Sequence, residues 1–177
     1  VPLIQVCARY TSEGSHLKSD MIISPTLMTS EHRPTQIEMD DDANYLGLSA
    51  GIQLAVGSGE LRLASADPND QPYLDYNYLQ EEFDRDRLRK GIRKVVELED
   101  HPAIKELIEG RITPTDDELA SDDALNAWLL KYTGTSHHIS CTCKMGLASD
   151  PMAVVDQHGH IHGLQNIRVA DASVMPD

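Results

Sequence analysis

The residues best equipped for chemistry gather toward the C-terminal end: His137, His138, Cys141 and Cys143, then His158, His160 and His162, then the closing turn Asp171-Ala172-Ser173. An imidazole with a pKa of about 6.5 accepts a proton at neutral pH and returns it afterwards, so His138, beside a second histidine, is a candidate general base. Small residues leave backbone N–H groups open to phosphate or hydroxyl oxygens, which makes the 171–173 turn a candidate ligand contact. In an extended strand, His158, His160 and His162 would share one face, a sketch of a metal site with Cys141 and Cys143 as further ligands. Neither cysteine belongs to a C-x-x-C pair and His-only spacing is a weak signal, so no metal is assigned.

The 177 residues are enough for one domain with a sizeable core. With 15 basic against 29 acidic residues the net charge is −14, which argues against nucleic acid or an anionic membrane surface, since both demand a cationic face. No apolar run reaches the roughly 20 residues of a membrane span, and the N-terminus lacks the pattern of a secretory signal. Three cysteines without framework spacing favour a reducing, cytoplasmic setting. Arg85, Arg87, Arg89, Lys90, Arg93 and Lys94 crowd one window and read as a solvated helix face offset by Glu and Asp.

The elements that must position these groups follow from pattern. Residues 3–10 and 21–28 read as strands, 30–42 as a polar surface excursion, and 46–56 with 60–64 as a hairpin about Gly57-Ser58-Gly59 that sets Leu61 and Leu63 on one face. Residues 73–78 supply another strand. From 81 to 99, Leu88, Ile92, Val95 and Val96 recur at helical spacing, and His101-Pro102 ends that helix. A short helix is expected over 103–108. Thr115 and Glu118 have the spacing of a capping box, and Ser121 caps a helix whose Leu125, Trp128, Leu129 and Tyr132 share a face fit for packing on a sheet. Strands, then helices, then strands define an α+β fold: an antiparallel sheet of about five or six strands with the 81–99 and 121–132 helices on one face.

His138-x-x-Cys141-Thr142-Cys143-Lys144-Met145-Gly146, then Val154-Val155-Asp156, then His162-Gly163-Leu164-Gln165-Asn166-Ile167-Arg168-Val169-Ala170-Asp171-Ala172-Ser173-Val174-Met175-Pro176 closely resembles the C-terminal signature of the glucose–methanol–choline (GMC) flavin oxidoreductases. Upstream, Gly57-Ser58-Gly59-Glu60-Leu61-Arg62-Leu63-Ala64-Ser65-Ala66-Asp67-Pro68 and Pro72-Tyr73-Leu74-Asp75-Tyr76-Asn77-Tyr78-Leu79 are similar to that family's substrate-domain hairpin and Asn-Tyr-Leu strand. The resemblance implies a substrate-binding domain over 1–150 and a segment 151–177 that rejoins the FAD domain. No Gly-x-Gly-x-x-Gly follows a strand, so the half that grips the ADP part of FAD is expected elsewhere, and the chain is read as a C-terminal piece of a larger protein, inactive and without tight FAD binding by itself.

The same resemblance gives the residues roles. His138 would stand beside flavin N5, bond the alcohol hydroxyl and take its proton as hydride leaves the carbon. Asp171 and Ala172 would contact the ribityl and pyrophosphate region of FAD, amides serving anionic oxygens and the carboxylate serving sugar hydroxyls. His137, taken as the next residue of a strand, faces the other way in a supporting or packing role. Cys141 stands where the family usually has Gly, and a second catalytic residue would lie beyond Asp177. The implied parent oxidises a small-molecule alcohol to a carbonyl, with the FAD-binding half as partner. A non-enzymatic α+β binding domain with a histidine-rich metal site is the rival reading.

Overall fold

A computed structural model describes residues 6–28, 40 and 44–176, and the chain divides into two compact units, Val1–Thr133 and Gly134–Asp177. Most of the expected 30–42 excursion and the start of the 3–10 strand lie outside the described residues. The first unit is α+β, as the pattern predicts. Its strands β1 (Ala8–Tyr10), β2 (Met21–Met28) and β3 (Tyr45–Ile52) form an antiparallel sheet in that order, with Ile23 opposite both Ala8 and Ala50. Strands β4 (Glu60–Arg62) and β5 (Tyr73–Asp75) form a separate two-stranded sheet. The five strands among the described residues are therefore split between two sheets rather than joined in one.

The expected hairpin between 46–56 and 60–64 does not form. Strand β3 ends at Ile52, and the chain then leaves the sheet because helix α1 (Glu82–Glu99) holds residues 54–57: Arg87 Nη2 donates to the Leu54 carbonyl at 2.8 Å and the Asp84 carboxylate accepts the Gly57 N–H at 2.9 Å. Gly59 serves close approach rather than a turn, since a Cβ there would stand 2.1 Å from the Asp75 carbonyl oxygen.

Helix α1 covers the first sheet. Leu88, Ile92 and Val95 are buried, and Leu88 and Ile92 join Met21, Leu79, Leu125 and Leu129 in one core cluster. Its sequel is α2 (Pro102–Lys105), then α3 (Asp116–Leu119), entered through the expected capping box in which Thr115 N–H reaches Glu118 Oε2 at 2.6 Å and Glu118 N–H reaches Thr115 Oγ1 at 3.3 Å. Helix α4 (Asp122–Tyr132) is capped by Ser121 and buries Leu125 and Leu129, while Trp128 spends its indole N–H on Thr113 Oγ1 at 2.7 Å.

The basic window of α1 is not a solvated face throughout. Arg87 is 1% exposed and Arg89 5% exposed. Arg87 bonds Asp20 at 2.8 Å, pairs with Asp84, and stacks its guanidinium over Phe83 at 4.3 Å. Asp20 is itself fully buried and also accepts from Ser12 N–H at 2.9 Å and Ser15 Oγ at 2.6 Å. Burial pushes the Asp20 carboxyl up, but the Ser15 hydroxyl, the Arg87 guanidinium and the Ser12 N–H outweigh it and hold the group at about 2, below its ordinary 3.8. A carboxyl with a depressed native pKa stabilises the fold above its unfolded pKa, and that stability is lost as pH falls through the native value. Asp20 should thus contribute about 2 kcal/mol that vanishes between about pH 4 and pH 2. Urea midpoints across that window should fall more steeply for the native chain than for Asp20→Asn; parallel curves would contradict the assignment.

Candidate active site

In the second unit the two halves of the C-terminal signature are laid side by side. The N–H groups of Cys141, Cys143 and Met145 donate to the carbonyls of Ala172, Ser173 and Val174 at 3.4, 2.9 and 2.9 Å. On the other side, Met145 bridges Val155 in parallel and Gly146 N–H reaches the Val155 carbonyl at 2.9 Å. Val155 bridges Ile161, and His160 bridges Arg168. This chain of short pairings carries the 138–146 segment to the Asp171–Ala172 turn, so the structure brings together the neighbourhoods that the sequence singled out.

His138 is exposed, and among the described residues its ring has no protein hydrogen-bond partner. Neither ring nitrogen is engaged by a protein group among the described residues. The 137–141 segment is not a strand, which corrects the argument that His137 and His138 must face opposite ways. His137 and Cys141 instead adopt left-handed backbone at φ 62° and 68°, a conformation costing of order 1–3 kcal/mol for residues with side chains. His137 N–H bonds Thr135 Oγ1 at 3.0 Å and the residue is exposed, so it does not pack. Cys141 occupies without a glycine a backbone region that favours glycine.

Asp171 precedes a single 3-10 turn, Ala172–Val174, and its Oδ1 accepts both the backbone N–H of Ser173 at 2.8 Å and the Ser173 hydroxyl. The Ser173 side chain and backbone bonds hold this carboxyl below its ordinary range. Asp171 and Ala172 are exposed, and the Ala172 N–H has no protein acceptor among the described residues. An anionic carboxylate beside an uncommitted amide is a donor and acceptor set that fits hydroxyl and phosphate oxygens.

The three alternating histidines do not share a face. Residues 156–160 form a turn: Asp156 Oδ1 accepts the N–H groups of His158 and His160 at 2.8 and 2.9 Å, and Asp156 Oδ2 meets His160 Nδ1 at 3.0 Å. Burial raises the Asp156 carboxyl, yet the His160 ring and these two backbone groups outweigh it and hold it at about 2. His162 spends Nε2 on the Gly146 carbonyl at 3.1 Å. Among the described residues no group of three or more His, Cys, Asp or Glu side chains is gathered to hold a metal ion. The structural role of Asp156 went unread in the sequence, although an Asp followed three residues later by Gly is a turn signal. Gly159 sits at φ +76°, and a Cβ there would stand 2.5 Å from the Val169 carbonyl oxygen. Gly159→Ala should cost at least about 1 kcal/mol, and hydrogen exchange should show the Val169 N–H, which donates to Gly159 at 2.9 Å, losing protection. Unchanged protection would contradict this.

Comparison with known proteins identifies the class of this domain. The profile of the GMC oxidoreductase C-terminal domain matches residues 55–177, and the chain belongs to that family of FAD-dependent oxidoreductases. It is 41% identical over 143 residues to an oxygen-dependent choline dehydrogenase of Pseudomonas savastanoi pv. phaseolicola, a match covering 75% of this chain and 25% of that protein. The chain thus spans about a quarter of the length of this curated relative. A solved structure of a formate oxidase from Aspergillus oryzae RIB40, concerned with FAD modification, superposes with a TM-score of 0.78 at 26% identity, covering 90% of this chain and 28% of that one. Pyridoxine 4-oxidase from Mesorbium loti shares the fold with a TM-score of 0.73 at 23% identity, covering 96% of this chain and 33% of that one. No helix among the described residues is long and apolar enough to cross a membrane.

Proposed function

We propose that this chain is the substrate-side, C-terminal part of an FAD-dependent oxidoreductase that oxidises the CH–OH group of a small alcohol to a carbonyl. The observation that carries the reading is the pairing of the His138 segment with the Asp171–Ala172 turn through the Cys141, Cys143 and Met145 amides. One set of backbone bonds thereby links a free base to a cofactor-type contact. Family membership supports the same reading.

When bound, FAD supplies the acceptor for the hydride. Asp171 and Ala172 would hold it, the carboxylate accepting from a ribityl hydroxyl and the Ala172 amide donating to an anionic oxygen. His138 would accept the hydroxyl proton of the alcohol on a ring nitrogen, which its freedom from protein partners permits. We propose further that 1–150 is the substrate-binding domain and that 151–177 belongs with an FAD-binding half.

The burial pattern supports a partner half. Val155 is the only buried hydrophobic residue of 134–177 among the described residues, whereas Leu147, Met152, Leu164 and Ile167 are all exposed. A unit of this size with so little core needs covering to stay folded. The chain alone should therefore pass through gel filtration free of flavin, and a protein joining it to an FAD-binding half should retain FAD. A yellow chain would overturn the division of labour, and a joined protein without flavin would overturn the function.

A further inference from the structure

A ring without protein partners is also a ring that nothing steers directly. Among the described residues no protein group holds either nitrogen of His138, so the backbone that carries the imidazole must set its direction. That backbone is sparsely tied. Among the described residues the N–H groups of 134–140 find one protein acceptor, the Thr135 hydroxyl oxygen, which takes the His137 N–H at 3.0 Å. The next fixed point is Cys141, whose N–H reaches the Ala172 carbonyl at 3.4 Å. The Thr135 bond falls where it matters most, because His137 stands at φ 62°, a left-handed conformation unfavourable for a residue with a side chain. A threonine hydroxyl that accepts an N–H two residues on offers the chain a turn in place of extended backbone. Remove the acceptor, and among the described residues no other bond to an N–H of 134–140 opposes a return to extended backbone, where successive side chains alternate in direction.

We infer that Thr135 is a positioning residue for the proton transfer: its hydroxyl holds the left-handed turn at His137 and thereby sets the direction of the His138 imidazole, a role that rests on His138 being the base. Thr135 itself touches no reacting atom. A general base must come within about 2.6–3.2 Å of the proton it takes, and a misplacement of about 1 Å costs on the order of 100-fold in rate. Valine keeps the branched shape of threonine and lacks the oxygen, whereas serine keeps the oxygen and lacks the methyl group. Thr135 is half-buried in a bend outside any helix or strand, so neither replacement disturbs a core.

A double-mutant cycle in a flavoprotein carrying this chain tests the role, with anaerobic reduction of the flavin by alcohol as the readout. Thr135→Val should slow reduction at least about tenfold with flavin content unchanged, while Thr135→Ser should stay within about threefold of the native rate. On a His138→Ala background, Thr135→Val should have no further effect, because the two changes remove one and the same contribution. A residue that merely supports the fold would slow both backgrounds alike. A native rate in Thr135→Val, a Thr135→Ser as slow as Thr135→Val, an undiminished effect without the His138 ring, or loss of flavin from Thr135→Val would overturn the inference and leave His138 as the base. Equal rates in the native protein and His138→Ala would instead remove the base, and the positioning role with it.

Discussion

In a flavoprotein carrying this chain, His138→Ala should slow anaerobic reduction of the flavin by alcohol at least about 100-fold while leaving flavin content unchanged, the usual cost of removing a general base. The motive is positional and chemical. His138 is exposed, its ring has no protein partner among the described residues, and its segment is bonded to the Asp171–Ala172 turn. An alcohol cannot release hydride from its carbon to give a neutral carbonyl unless its hydroxyl proton goes to a base. Alanine removes the base without touching the Cys141, Cys143 and Met145 amides that hold the turn. Flavin content normalises each sample, so loss of chemistry separates from loss of cofactor. His160→Ala, whose ring is committed to Asp156, should reduce its flavin at the native rate. The reverse pattern, a normal His138→Ala and a slow His160→Ala, would remove His138 from its role.

Arg87→Ala should destabilise the first unit by about 3–5 kcal/mol, the cost of leaving buried charge without its partner. Two buried carboxylates depend on this guanidinium, Asp20 from the 12–20 loop and Asp84 one turn back on α1. Arg87 Nη2 also carries the Leu54 carbonyl, so the variant frees the 54–57 segment that leads toward β4. Arg87→Lys should recover only part of the loss, because an ammonium is a compact point charge and cannot present the planar fork that spans Asp20, Asp84 and Leu54. Urea unfolding followed by far-ultraviolet circular dichroism measures the difference. A change under about 1 kcal/mol, the range of exposed pairs, would show that the cluster is not load-sharing.

That cluster also shows where sequence reading stops. Strand 21–28 was legible in full and α1 to within one residue, because β-branched runs and a 3.6-residue apolar stripe are local signals. The Thr115/Glu118 capping box and the Ser121 cap were legible for the same reason. Arg87 was not. Its partner Asp20 lies 67 residues away, and nothing near Arg87 in the sequence separates a buried guanidinium from the partly exposed Arg85 and Arg93. The false hairpin at 57–59 has the same origin, since Asp84 and Arg87 pull residues 54–57 off the sheet from a distant helix.

At the candidate site, the signature residues were legible by resemblance and their conformation was not. Left-handed backbone at His137 and Cys141 breaks the strand alternation on which the facing argument relied. The Asp156 turn likewise breaks the alternation of His158, His160 and His162, because an acceptor side chain can gather backbone amides that a strand would have sent to its neighbours.

The most direct measurement mixes a flavoprotein carrying this chain with small primary and secondary alcohols in the absence of oxygen. Absorbance of the oxidised flavin is followed in time, and the carbonyl product is counted after one turnover. Bleaching of the flavin with one carbonyl formed per flavin is the predicted result. A flavin that stays oxidised with every alcohol, or that bleaches without forming a carbonyl, would contradict the account.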